Sequence, residues 1–175
     1  FYTIGTEGDN VKLLSMYNLY VGNQYDRDNG AVPLASPTGK QSELARGWID
    51  GADEWYGTTA FSNDSTTYEG SIVEGYVNNY KTILEEDYGI DVVEARLITK
   101  DELTSDEIGC SDTDRTCTGS AYPWIYSTSY WSGSASNASY VWRVDSSGSF
   151  NNYSRYDNVY SFGVRPVIII SKSNF

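Results

Sequence analysis

The chain has 175 residues, which lies within the size range of a single folded domain with its own hydrophobic core. Its 12 Lys and Arg against 24 Asp and Glu give a net charge of −12, which disfavours nucleic acid and anionic membrane surfaces as partners. Histidine is absent from the sequence, which excludes Ser-His-Asp catalysis, Cys-His catalysis and histidine-ligated metal sites.

The N-terminal residues 1–21 are predicted to form a β-hairpin. Two strand-like runs, 1–4 and 11–21, flank a turn at 5–10 that is rich in Gly and Asn. The chain opens directly on this hairpin without a signal peptide, so we expect it to come from a longer or processed protein.

From residue 22 to about residue 66 the sequence sustains no periodicity. Gly, Asn, Asp, Ser and Pro dominate this stretch, and we expect long loops there that are anchored by Trp48 and Trp55. The acidic run 26–30 has some likeness to a calcium loop, but its acidic spacing is one residue too short. A solvated turn is therefore the better interpretation.

A helix is predicted after Ser71, which can form a capping box with Glu74, and it is expected to end at Gly89. Its apolar residues recur at the three-to-four spacing of one helical stripe. They are Ile72, Val73, Tyr76, Val77, Tyr80, Ile83 and Leu84.

The second half of the chain is predicted to be mostly strands. Residues 90–98 form a strand, after which a capping box at 99–102 opens a short helix that Gly109 stops. Short Tyr, Trp and Val runs between Ser, Gly and Asn predict several short strands over 121–161. The β-branched run 162–170 predicts a buried final strand, and no apolar run approaches the roughly 20 residues that cross a bilayer.

Cys110 and Cys117 bracket a short polar loop. Two thiols without histidine supply too few ligands for a metal, and redox motifs prefer a tighter spacing. We therefore expect a disulfide, with two free thiols as the alternative. A disulfide agrees with an extracellular, cell-surface or virion-displayed location.

Four short segments resemble one known family. The Arg-Leu-Ile-Thr-Lys-Asp-Glu-Leu at 96–103 resembles the segment that opens the second helix in the formylglycine-generating-enzyme branch of the C-type lectin fold. Residues 131–134, 141–144 and 163–167 resemble late landmarks of the same branch. The resemblance spans roughly 94–170. It implies an α+β, C-type lectin-like single domain over the whole chain, in which two helices pack on short antiparallel strands, loops are long, and the terminal strands are adjacent.

The resemblance also bears on activity. Catalytic members of that branch bind copper through a late cysteine pair, and neither Cys110 nor Cys117 matches those positions. Ile98 also stands where the family has proline. We therefore expect no enzymatic activity, no metal and no cofactor. Similar domains occur in bacterial surface and prepilin-like proteins and in the variable proteins of diversity-generating retroelements, which display a hypervariable face.

The composition of residues 121–160 resembles that of antibody contact loops. These 40 residues contain 7 Tyr, 10 Ser, 4 Asn and 2 Gly, types that combine rigid ring area with adaptable hydrogen bonds. Residues 121–170 contain no Lys, Glu, Gln or Met. Adenine-directed mutagenesis of Asn codons, which the resemblance implies, reaches none of these four, and a Tyr- and Ser-rich β region without long side chains explains the absence equally well.

Residues 121–161 are accordingly the expected ligand-binding region. The large apolar residues in or near it are predicted to be core or frame: Trp124, Trp131, Trp142, Val144, Val164 and Val167. Arg165, between apolar residues, is predicted to be buried and paired with an acid. The predicted contact residues are Tyr130, Ser134, Asn137, Ser139, Tyr140, Arg143, Asp145, Ser147, Asn151, Asn152, Tyr153, Arg155, Tyr156, Asn158 and Tyr160.

The sequence leaves three functions to compare. The first is a recognition domain that binds a protein or glycan ligand through this face, and the second is a structural head of a pilus-like surface protein with no ligand. The third is a hydrolase with paired carboxylates, for which Asp53/Glu54, Glu85/Glu86 or Asp101/Glu102 could be nominated. Adjacent acids on a helix point to different faces, so a solvated surface is their simpler interpretation.

Overall fold

The computed structural model describes residues 1–19, 58–155 and 162–174, and these form an α+β fold with two helices and nine strands. Its helices are α1 (Ile72–Glu86) and α2 (Lys100–Leu103). Its strands are β1 (Tyr2–Glu7), β2 (Asn10–Leu14), β3 (Thr58–Thr59), β4 (Val92–Leu97), β5 (Tyr130–Ala135), β6 (Tyr140–Val144), β7 (Phe150–Ser154), β8 (Phe162–Gly163) and β9 (Pro166–Ser171). Short 3₁₀ helices cover Pro123–Tyr126 and Lys172–Asn174.

The strands form two sheets. The first has the order β1-β2-β9-β4 with antiparallel pairs throughout, and the second has the order β3-β8-β5-β6-β7. In the second sheet β5 and β8 run parallel. The final strand β9 pairs with β2 of the N-terminal hairpin, with Asn10 opposite Ser171. Both ends of the chain therefore lie in one sheet, although β2 separates the first strand β1 from β9, so the terminal strands are not adjacent as predicted.

The N-terminal hairpin is shorter than its sequence predicts. The second strand ends at Leu14 instead of continuing to residue 21. Ser15 then donates its hydroxyl to the carbonyl of Tyr17, which makes a local turn. Residues 15–19 lie outside the sheet, and Leu19 is buried in the core cluster that packs under α1.

The helix α1 forms where the sequence predicts it. The Ser71 hydroxyl accepts a hydrogen bond from the Glu74 backbone, while the Glu74 carboxylate accepts one from the Gly70 backbone. The cap is therefore half of the predicted box, with the return bond shifted by one residue. The helix ends at Glu86, and Gly89, at φ +65°, turns the chain toward β4.

The helix α2 is shorter than expected. The capping box of Thr99 and Glu102 is complete, but the helix ends at Leu103 instead of running toward Ile108. The chain turns back through Gly109, at φ +80°, so that the Cys110 backbone N–H donates to the Leu103 carbonyl. This turn brings Cys110 to its disulfide partner Cys117. Formation of the turn therefore competes with continuation of α2 beyond Leu103.

Two clusters of buried side chains form the core, and β9 contributes to both because it is buried on both faces. Its Ile168 and Ile170 join the cluster under α1, whereas its Val167 and Ile169 join the cluster around the disulfide. The predicted frame residues Trp131, Trp142, Val144, Val164 and Val167 are all buried. The sixth, Trp124, is partly buried and stacks on Tyr2, with ring centroids 4.3 Å apart.

Glu102, in α2, joins two strands of the first sheet, β2 and β4, to the start of its own helix. Its carboxylate accepts hydrogen bonds from Nη1 and Nη2 of Arg96, both at 2.8 Å, and from Lys12 Nζ at 3.0 Å. The Thr99 backbone N–H also donates to it at 3.0 Å. Burial of the carboxyl raises its pKa, but the bonds from Arg96, Thr99 and Lys12 outweigh burial and lower the pKa to about 2.

We expect this carboxylate to make the fold sensitive to acid. Because its folded-state pKa lies below the ordinary value of 4.5, its contribution is complete above pH 4.5 and is lost as the pH falls toward 2. The loss should be roughly 3 kcal/mol of unfolding free energy. Urea unfolding at neutral and acidic pH measures it. The variant Glu102→Gln should be the less stable protein at neutral pH and should approach the native protein near pH 2; parallel pH profiles would contradict this assignment.

Candidate binding surface at the β6–β7 end of the second sheet

The strands β6 and β7 divide their side chains between two faces of the second sheet. One face carries the cross-strand pairs Tyr140–Ser154, Trp142–Asn152 and Val144–Phe150. The other carries Val141–Tyr153 and Arg143–Asn151. Because side chains alternate along a strand, the predicted contact residues of this hairpin cannot all point the same way.

The first face changes from buried to exposed along the hairpin. Val144 and Phe150 are fully buried, Trp142 is 6% exposed, and Tyr140 is 43% exposed. Asn152 donates from Nδ2 to the Ser136 hydroxyl at 2.9 Å, which connects β7 to the end of β5. We call the exposed end of this face the polar strip, and it consists of Ser136, Tyr140, Asn152 and Ser154.

The second face packs on the core. The ring of Tyr153 contacts Phe162 edge-on, with centroids 5.7 Å apart, and the Arg143 guanidinium lies 4.8 Å from the same Phe162 ring. Arg143 also forms an ion pair with Asp145. Both predicted contact residues are half-buried and contact Phe162.

Tyr130 is a clear correction to the sequence prediction. It is fully buried, and its hydroxyl donates to the Ile125 carbonyl at 2.6 Å. It opens β5 opposite Val144, so the pleat turns it into the cluster around the disulfide. Burial raises the pKa of Tyr130 to about 12. The prediction that this ring contacts a ligand is wrong, because the fold encloses it.

The predicted polar residues in the turns hold the backbone. Asn137 Oδ1 accepts from the N–H groups of Ser139 and Tyr140 and shapes the β5–β6 turn. At the opposite end of β6, Asp145 Oδ1 accepts from the N–H groups of Ser147 and Ser149. These residues therefore lie at opposite ends of the hairpin and do not form one surface.

Two more predicted contact residues near the polar strip make structural bonds. Ser134 accepts a hydrogen bond from the Lys100 backbone at 2.9 Å, at the start of α2. Arg155 donates from Nη1 to the Ala138 carbonyl at 2.9 Å, which ties the end of β7 to the β5–β6 turn. The remaining predicted contacts, Tyr156, Asn158 and Tyr160, lie outside the described residues.

Several other predicted features also lie outside the described residues. They are Trp48, Trp55, the pair Asp53/Glu54 and the acidic run 26–30.

Sequence reasoning missed two cationic side chains beside the polar strip. Lys100 Nζ lies 4.6 Å from the Trp142 ring centroid, and the Arg115 guanidinium lies 4.7 Å from it. Arg115 belongs to the loop that the disulfide closes. Nothing in the sequence marks the contact, because Arg115 and Trp142 are distant along the chain and meet only when the loop packs on β6.

The disulfide between Cys110 and Cys117 is present, as predicted. Both cysteines are buried in the second core cluster. Inside the ring that they close, Ser111 and Thr116 exchange two backbone hydrogen bonds, at 2.7 and 3.1 Å. The polar loop is therefore a small closed ladder with fixed geometry.

The nominated carboxylates that the structure describes are either exposed or ion-paired. Glu85 and Glu86 are exposed at the end of α1, Asp101 is exposed, and Glu102 is held in its ion pairs. Across residues 1–19, 58–155 and 162–174, no group of three or more His, Cys, Asp or Glu is placed to hold a metal ion.

A pocket of about 310 Å³ lies between the start of α1 and β4. Tyr68, Glu74, Glu94 and Arg96 contribute to its walls. Burial of the Tyr68 hydroxyl raises the pKa of this residue. The pocket is separate from the polar strip and mixes acidic with basic walls.

No protein-family model, curated protein or solved structure matches this chain. In the part of the chain that the structure describes, no helix is long and apolar enough to span a membrane.

Proposed function

We propose that this chain is a non-catalytic recognition domain of C-type lectin-like fold that binds a protein or glycan ligand through its polar strip. The observation that carries this proposal is Tyr140, a ring that is 43% exposed on an ordered strand. Ser154 lies directly opposite Tyr140 on β7, and Asn152 lies diagonal to it. A rigid ring beside adaptable amides and hydroxyls provides contact area at low entropic cost.

The order and pairing of the elements support the fold proposal. A hairpin, a helix, a strand, a short capped helix, irregular strands and a final strand follow one another, and the final strand returns to the hairpin. Residues in the segments that carry the resemblance also make structural contacts. Arg96 forms an ion pair with Glu102, and Trp131 and Arg165 are fully buried.

The disulfide supports display in an oxidising compartment, on a cell or virion surface. The absence of Lys, Glu, Gln and Met from residues 121–170 agrees with a history of retroelement diversification and agrees equally with a Tyr- and Ser-rich β region that lacks long side chains. DNA that flanks the gene tests that history directly. A near-identical template repeat that differs at adenines, next to a reverse transcriptase, is the expected finding. Without both, the proposal reduces to an adhesin or a structural surface domain.

A combined protein and glycan array tests the recognition function. We expect the native domain to bind a defined ligand and Tyr140→Ala to weaken that binding about tenfold, because an exposed aromatic ring at an interface centre contributes about that much. The matched control is Tyr88→Ala, which removes a ring that is 50% exposed after α1. Both variants should unfold like the native protein, since exposed rings add little stability.

Equal binding by the two tyrosine variants would remove the polar strip as the site. No ligand for the native domain across the array would favour the structural head domain of a surface protein.

A further inference from the structure

The disulfide loop holds Arg115 in a backbone conformation that side chains rarely adopt. Its φ of 55° lies in the left-handed region, and it is the non-glycine residue with positive φ in the described part of the chain. A Cβ makes this region unfavourable, and residues held there are found often at functional sites. The Arg115 carbonyl accepts a hydrogen bond from the Phe150 N–H at 2.9 Å, which fixes the loop against β7.

The guanidinium of Arg115 is also fixed. It lies 4.7 Å from the Trp142 ring centroid and donates from Nη1 to Asn151 Oδ1 at 3.2 Å. Trp142 is itself 6% exposed, so the ring is a rigid base for the guanidinium. A cation held over a ring and by one hydrogen bond keeps its orientation while the residue stays exposed.

Arg115 differs from most other described cations in having no acidic partner. Within residues 1–19, 58–155 and 162–174, Arg115 forms no ion pair, and its one side-chain hydrogen bond runs from Nη1 to Asn151, which leaves Nε and Nη2 without an acceptor. Five other described cations are ion-paired: Lys12, Lys81, Arg96, Lys100 and Arg143. The acids of its own loop are engaged elsewhere, Asp112 with Lys100 and Asp114 with the Ser111 hydroxyl.

We propose that Arg115 is the anion-binding anchor of this surface and takes a single carboxylate, from an Asp or Glu side chain on a protein ligand. The inference rests on the proposed recognition function and names the partner's chemistry. The free Nε and Nη2 edge of a guanidinium matches a planar carboxylate with two parallel hydrogen bonds. The domain has a net charge of −12 and two acids in the same loop, so it repels densely acidic polymers. This repulsion favours a ligand that offers a single carboxylate.

The experiment is a titration of the full chain, labelled with ¹⁵N, with N-acetylglutamic acid α-amide and, separately, with N-acetylglutamine α-amide at matched ionic strength. The two compounds differ only in the side-chain carboxylate. We expect the acid to shift the Arg115 Nε–H and Trp142 indole N–H signals saturably, and the neutral amide to bind about tenfold more weakly or not at all. Added salt should weaken the response.

Three variants distinguish the effect of the guanidinium on binding from the effects of net charge and of unfolding. Arg115→Asn should abolish the response and keep the fold, because Asn accepts the left-handed conformation. Arg115→Lys should also lose most of it, since an ammonium lacks the planar fork. Lys81→Asn makes the same change in net charge on α1 and should bind like the native protein. Retained thermal unfolding midpoints show that each variant is folded.

Equal shifts by the acid and the amide, unchanged binding in Arg115→Asn, or no response at Arg115 and Trp142 would each overturn the proposal. Binding of glucuronate without binding of the glutamic acid compound would overturn the protein source in favour of an acidic sugar. The titration needs no natural ligand, so its failure is distinguishable from failure of the array, which reports on Tyr140 and the polar strip.

Discussion

Replacement of Arg165 by Met should destabilise the domain by about 3–5 kcal/mol, because it leaves buried carbonyl groups without donors. Arg165 is fully buried. Its Nε donates to the Ser15 carbonyl at 2.8 Å, and its Nη2 donates to the Met16 carbonyl at 3.4 Å. Its Nη1 donates to the carbonyls of Trp124 at 3.0 Å and Ile125 at 3.3 Å.

The sequence prediction for Arg165 was correct in its burial and wrong in its partner. Within the described residues its hydrogen-bond acceptors are neutral carbonyls, and the Tyr130 ring lies 5.0 Å away. The physical reason is that Ser15 and Met16 follow a strand and are not in the sheet, so their carbonyls need donors that the sheet does not supply. The five donors of a guanidinium meet that need from one side chain.

Urea unfolding measures the effect of Arg165→Met, and Arg165→Lys should lose less, about 2 kcal/mol, because an ammonium reaches only some of the carbonyls. Arg115→Met is the matched control. It removes an exposed guanidinium and should cost no more than about 1 kcal/mol. Similar losses for Arg165→Met and the control would mean that the carbonyls find water instead.

Replacement of Trp131 by Ala should cost about 3–5 kcal/mol, as for other large rings removed from a packed core. Trp131 is fully buried, and its ring meets Phe162 and Phe61 edge-on, with centroids 4.8 and 5.9 Å apart. Its indole N–H donates to the Thr59 carbonyl at 2.8 Å. The ring thus joins β5 to β3 and β8 and supports the sheet that carries the polar strip.

Two further variants show how much of the stability lost in Trp131→Ala comes from the indole hydrogen bond and how much from burial of the ring. Trp131→Phe keeps most of the ring but leaves the Thr59 carbonyl unpaired, which should cost about 1–3 kcal/mol. Trp124→Ala removes a partly buried ring and should cost clearly less than Trp131→Ala. Unfolding followed by far-ultraviolet circular dichroism avoids the change in tryptophan emission. A loss for Trp131→Ala no larger than that for Trp124→Ala would contradict the role assigned to this ring.

Features that depend on neighbouring residues were predictable from the sequence. The cap at Ser71, the apolar stripe of α1, the capping box at residues 99–102 and the disulfide all follow from short-range spacing. The buried final strand follows from its continuous β-branched run. Element ends were less predictable, as α2 and β2 show, because tertiary contacts decide where a helix or strand stops.

The candidate surface was only partly predictable, and three tyrosines illustrate the reason. Composition treats Tyr130, Tyr140 and Tyr153 alike, yet the first is enclosed, the second is exposed and the third packs on Phe162. The pleat and the pairing register decide these outcomes, and the register shifts where β5 pairs with β6, after Trp131. This shift places two extra residues in β5, so the alternation of faces continues across it; a slip of one residue would have reversed the face of every side chain that follows.

By itself the sequence determined the α+β class, the main helix, the disulfide and the region rich in Tyr, Ser and Asn, because each is written in composition or in local spacing. Only the tertiary structure decided which of those side chains meet solvent, which carbonyls Arg165 serves and that Arg115 rests on Trp142. These contacts join residues that are far apart in the chain. They form when the two sheets pack and the loop closes, and no local pattern records them.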